Sequence, residues 1–102
     1  MRVGDMKRNK EEIIADILEA IDNKINRISS IMKNVNLSAS LAKKYLKILM
    51  ENGLIEEKNG EYILTESGRK VLEQIRDLRK LEVELALILN DLRKEIKIDQ
   101  SE

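Results

Sequence analysis

From Glu66 to Ile98 the chain contains no proline, and after Gly68 it contains no glycine. Nothing in that stretch breaks a helix. Its apolar residues Val71, Ile75, Leu78, Leu81, Leu85, Ile88, Leu92 and Ile96 recur mainly at intervals of three and four, the heptad-like spacing of a coiled-coil seam. At about 1.5 Å per residue such a helix is about 45 Å long, whereas the roughly 65 residues before it make a head only about 20–25 Å across. The first turns of the helix can pack on that head. Beyond about Leu78 the seam has no cover in its own chain, so the sequence predicts a homodimer built on Leu78, Leu81, Leu85, Ile88, Leu92 and Ile96.

The residues ahead of this helix divide into short units. Residues 1–8 show no periodicity and are expected to be a flexible N-terminus. Asn9 and Glu12 have the spacing of a capping box, and Ile13, Ile14, Ile17, Leu18 and Ile21 follow as one helical stripe that ends at Asp22-Asn23. Ile25 suits a short extended link inserted into the core. A second helix is expected from about Arg27, capped by Asn26, with Ile28, Ile31, Met32 and Val35 inward. Asn36 tolerates a left-handed turn and Ser38 is a good N-cap. The third helix then runs to about Asn52 and stops at Gly53. Leu41, Tyr45, Leu46 and Leu49 are expected inward, with Ala39, Ser40, Lys43, Lys44 and Lys47 on the opposite side. Asn59-Gly60 is a strong signal for a two-residue hairpin, because both central residues of a type I′ turn need positive φ. That turn sets Lys58 opposite Glu61 and Ile55 opposite Leu64. Thr65 caps the long helix, and Gly68 stands where a full capping box would have Glu.

Three helices, a hairpin and a long helix make a mainly α fold, and "LAKKYLKILMENGLIEEKNGEYILTESG" within it resembles the winged helix-turn-helix: a recognition helix, a Gly-Leu-Ile corner into the wing, and a Y-x-L-T-x-x-G exit. From about residue 8 to 96 the chain is similar to the ten-a family of small archaeal chromatin-associated proteins, in its "IIADILEA" helix, its "NLS…KKYL" recognition helix, its "GLIE" corner and its "YILTESG" wing exit. On this reading residues 9–65 are the winged helix-turn-helix domain, 66–98 the long coiled-coil helix and 99–102 a tail. The resemblance implies an antiparallel coiled coil with a head at each end of a rod. It also implies binding to double-stranded DNA with little or modest sequence preference, as a nucleoid-associated or regulatory protein of the cytoplasm.

Charge supports that expectation locally rather than globally. The chain of 102 residues has 37% charged residues and a formal net charge of zero. Between Asp22 and Glu51, however, there are Lys24, Arg27, Lys33, Lys43, Lys44 and Lys47 and no acid, a local electrostatic feature. On a recognition helix Ser38, Ser40, Lys43, Lys44 and Lys47 supply hydroxyl and ammonium donors for phosphates, with Lys33 beside them. The outer face from 39 to 47 has no Arg, Asn or Gln to form bidentate base contacts, so sequence specificity is expected to be weak. Lys58 at the wing tip is a further candidate, although Glu56, Glu57 and Glu61 repel phosphate. Lys7, Arg8 and Lys10 form a basic cluster better suited to a solvated tail. The alternatives are a lysine face that is merely solvated and a winged helix that docks a protein instead of DNA.

Other classes of function are poorly supplied. There is no His and no Cys, which removes the usual ligands for zinc, iron and copper. There is no glycine-rich phosphate loop. No enzyme activity, cofactor or small-molecule ligand is expected. The longest apolar run, "LALIL" at 85–89, is far below the roughly 20 residues of a membrane span, so a soluble intracellular protein is expected.

Overall fold

The computed structural model describes residues 8–96, so Lys7, Ile98 and the 99–102 tail lie outside the described residues. The element order is α1 (Lys10–Asp22), α2 (Ile28–Val35), α3 (Ala39–Glu51), β1 (Ile55–Lys58), β2 (Glu61–Leu64) and α4 (Glu66–Ile96). The chain divides after Leu72 into two units. The first holds α1 to β2 and the start of α4; the second is the remainder of α4.

The caps follow from local chemistry. Asn9 accepts the Glu12 N–H at 2.8 Å, and the Glu12 carboxylate accepts the Asn9 N–H at 3.1 Å, completing the capping box. α1 ends in a Schellman arrangement: the Lys24 N–H donates to Ile21 and the Ile25 N–H to Ala20. Its left-handed position is filled by Lys24 (φ 69), where glycine is the usual occupant. α2 ends on Asn36, which is left-handed as expected. Ser38 caps α3 by accepting the Leu41 N–H at 3.2 Å. Gly53 (φ 72) ends α3, its N–H donating to Met50 and the Leu54 N–H to Leu49. Asn59 (φ 55) and Gly60 (φ 79) make the hairpin turn, and the register pairs Ile55 with Leu64 and Lys58 with Glu61.

Ile17, Leu18, Ile31, Leu46, Leu49, Ile55 and Leu72 are the fully buried centre of the first unit. It is an aliphatic core with Tyr45 and Tyr62 packed at its margin, both buried. Every element contributes except β2, whose Tyr62 closes the edge. Thr65 fastens the corner between α3, the wing and α4: its hydroxyl donates to the Gly53 carbonyl at 2.6 Å and accepts the Gly68 N–H at 3.0 Å. A Cβ on Gly68 would lie 2.0 Å from the Leu54 carbonyl oxygen. The incomplete capping box thus reflects a close helix-to-loop approach that tolerates only glycine.

Three local expectations are corrected. Arg27, not Asn26, is the N-cap of α2, and its side chain makes no capping hydrogen bond; the Asn26 carbonyl instead accepts the Tyr62 N–H at 2.8 Å, pairing the link to the outer edge of β2. Leu41 is 40% exposed, while Ala42 is fully buried. The inward stripe of α3 is Ala42, Tyr45, Leu46 and Leu49, and Leu41 sits about 100° off it. Arg8 is held in place, donating to the Asp16 carboxylate at 2.8 Å and the Val35 carbonyl at 2.7 Å. It satisfies an end carbonyl of α2 rather than standing in a solvated tail.

Candidate nucleic-acid interface

With its apolar stripe turned into the core, α3 must present its remaining side chains outward. Ser40, Lys43, Lys44 and Lys47 are all exposed. Lys43 and Lys47 form no ion pair with a carboxylate of the described residues, and Lys44 lies 5.8 Å from the centroid of the Tyr45 ring. The Ser38 hydroxyl is 3.5 Å from that of Ser40. Because Ser38 caps only the Leu41 N–H and the Ser38 carbonyl takes that of Ala42, the Ala39 and Ser40 N–H groups point out of the first turn without an intrahelical partner. Such a helix start, followed by three lysines, is a surface of donors and positive charge. Glu51 closes the far end of the same side.

The other predicted contacts are not on this helix. Lys33 is on the outer side of α2, where Ile25, Ser29, Ser30, Lys33 and Asn34 line an open depression. Lys58 is exposed at the end of β1, next to the turn.

Sequence reasoning missed Arg27. Its guanidinium reaches the wing and binds the Glu61 carboxylate at 2.9 Å, so Glu61 pairs with Arg27 rather than with Lys58 facing it in register. One of the three wing acids is thereby neutralised, leaving Glu56 and Glu57. The partners are 34 positions apart, and no local pattern could have announced them. Across the hairpin from Glu57, Tyr62 is buried; that burial and, secondarily, the Glu57 charge raise its hydroxyl pKa above the ordinary value.

The second unit carries a different kind of surface. From Arg76 to Ile96 every residue is exposed, including Leu78, Leu81, Leu85, Ile88, Leu92 and Ile96, at 49–62%. A contiguous apolar stripe of this length is abnormal for a monomer surface. No helix among the described residues is long and apolar enough to cross a membrane.

Comparisons with known proteins agree with this geometry. Residues 7–83 match the family model of the winged helix-turn-helix. Two proteins of Methanocaldococcus jannaschii, both named only as uncharacterized, are similar in sequence. MJ0290 is 36% identical over 74% of this chain, and the chain spans just 36% of that longer protein; MJ0287 is 32% identical over 71% of this chain and 74% of its own length. Among solved structures, Sso10a-2, described as a DNA-binding protein from Sulfolobus solfataricus, aligns over 90% of this chain and all of its own with a TM-score of 0.70 at 24% identity. BpsR of Bordetella bronchiseptica, whose DNA binding is regulated by 6-hydroxynicotinic acid, aligns over 94% of this chain and 80% of its own with a TM-score of 0.61 at 15% identity. At these identities the likeness is one of fold, and at that level it agrees with the resemblance to the ten-a family.

Proposed function

Because this chain belongs to the winged helix-turn-helix family, we propose that it binds double-stranded DNA through the outer side of α3, as a homodimer and with low sequence specificity. The observation that carries the reading is the exposed group of Ser40, Lys43, Lys44 and Lys47 beside a helix start whose donors are open. Ammonium and hydroxyl groups of this kind meet phosphates, which position a protein on the duplex without reading bases. Ser38 adds its hydroxyl proton, and Lys33 and Lys58 extend the contact at its margins. That Sso10a-2 and BpsR bind DNA lends support.

Residues 9–65 serve in this reading as the DNA-binding domain and 66–98 as the pairing helix. Burying each of Leu78, Leu81, Leu85, Ile88, Leu92 and Ile96 against a second chain contributes roughly 1.5–3 kcal/mol before association costs. Linked heads then gain from effective concentration on one duplex or two. A nucleoid-associated place in the cytoplasm goes with this role, and neither cofactor nor catalysis does.

The test is fluorescence anisotropy at low salt with two duplexes of equal length and unrelated sequence. Affinities within a few-fold of each other are expected. Failure to bind either would favour the alternative, a winged helix that docks a protein. Tight binding to one alone would refute low specificity.

A further inference from the structure

The second unit has an apolar surface that the seam does not use. Around the helix, at about 100° per residue, Leu78, Leu81, Leu85, Ile88, Leu92 and Ile96 make one stripe, and Val83 and Leu87 lie on the side opposite to it. Each of the two is 59% exposed. A two-stranded coil covers only the seam, so pairing through that stripe leaves Val83 and Leu87 in water.

Charge around this apolar pair is sorted. Lys80 and Lys94 share its side of the helix, as do Arg76 and Arg79, which also interact within the chain, and Arg93 stands at the edge of that side. Asp77, Glu84 and Asp91 run in a row along the next strip at intervals of seven. The separations match: Asp77 to Asp91, Arg79 to Arg93 and Lys80 to Lys94 are each fourteen residues, about 21 Å of helix. A second copy of α4 laid alongside can therefore set its acidic row against both basic groups with the apolar residues at the centre. An apolar centre inside a charged rim is the usual anatomy of a protein interface. DNA fits this face poorly: between Lys80 and Arg93 about 20 Å of helix carries no cation on that side, whereas a DNA strand offers a phosphate about every 3.4 Å along the axis.

We propose that paired chains associate side by side through the Val83–Leu87 face of α4, acidic row against basic groups, into assemblies of four chains and more. This inference rests on the seam pairing proposed above. Each pair carries one such face per chain, so growth continues with concentration.

Sedimentation of the full chain from about one to a few hundred micromolar tests it, since charge-rimmed contacts weaken with salt. The wild type should rise from two chains towards four and beyond in low salt and return to two in high salt. The double variant Val83→Glu, Leu87→Glu should stay at two chains, with circular dichroism confirming its helix. Asp77→Lys with Asp91→Lys should also stop at two, and adding Lys80→Glu, Lys94→Glu and Arg93→Glu should restore growth. A wild type fixed at two chains, or Glu variants that still grow, would overturn this inference and leave the seam intact. A wild type that is a single chain throughout would overturn the seam pairing itself, as would a variant Leu85→Lys, Ile88→Lys that remains paired.

Discussion

Gly68 shows how a single residue can be dictated by a neighbour far from it in local pattern. Its missing side chain lets α4 start directly against the Leu54 carbonyl, which a Cβ would meet at 2.0 Å. Gly68→Ala should destabilise by about 1–3 kcal/mol through overpacking, although Ala in a helix interior would otherwise gain about 1 kcal/mol. Thermal unfolding measures this, and a variant melting at or above the wild type would contradict it. Tyr62 supplies a pH-dependent counterpart. Its folded-state pKa is raised by burial and then by Glu57, so the folded chain holds this proton more tightly than the unfolded one. The resulting stability is full below about pH 10 and is lost as pH rises through the folded value. Tyr62→Phe should therefore lose less melting temperature than the wild type between about pH 9 and 12; parallel curves would show that the shift does not matter for folding.

Elements with a strong local period or a special turn were legible in the sequence. Asn36, Asn59 and Gly60 announced positive φ and have it, and the hairpin register followed from the turn alone. The inner face of α3 was harder. Leu41 is expected inward with Tyr45, Leu46 and Leu49, yet Ala42 continues the i, i+3, i+4, i+7 stripe and takes the buried place. The Arg27–Glu61 pair and the Asn26–Tyr62 backbone bond join segments more than thirty residues apart, and only the folded chain brings them together. The pairing of Glu61 makes the wing less acidic than its composition implies, but Glu56 and Glu57 remain exposed beside Lys58. The recognition helix should consequently outweigh the wing. Lys43→Ala should weaken duplex binding about 3–10-fold and Lys58→Ala by less than about twofold, as read by the same anisotropy titration. The reverse order would make the wing the principal contact.

At the scale of the molecule, two surfaces stand out: a donor-rich helix face in the first unit, and an apolar, charge-sorted helix in the second. The long helix that carries the second was the most legible element of all, because nothing after Gly68 breaks it and its apolar residues keep a helical spacing to its end. The first was legible as a run of lysines without acids, with Ser40, Lys43, Lys44 and Lys47 on one side of a helix, but only the fold pairs Arg27 away to Glu61. The central claim is that this lysine side meets phosphate. It is tested most directly by the slope of log K against log salt on one duplex, for the wild type and for Lys43→Ala, Lys44→Ala, Lys47→Ala combined. Each phosphate neutralised contributes about 0.9 to that slope, so the triple variant should bind more weakly, with a slope flatter by up to about 2–3 for each head engaged. Equal affinity and an equal slope in the two proteins would contradict the account.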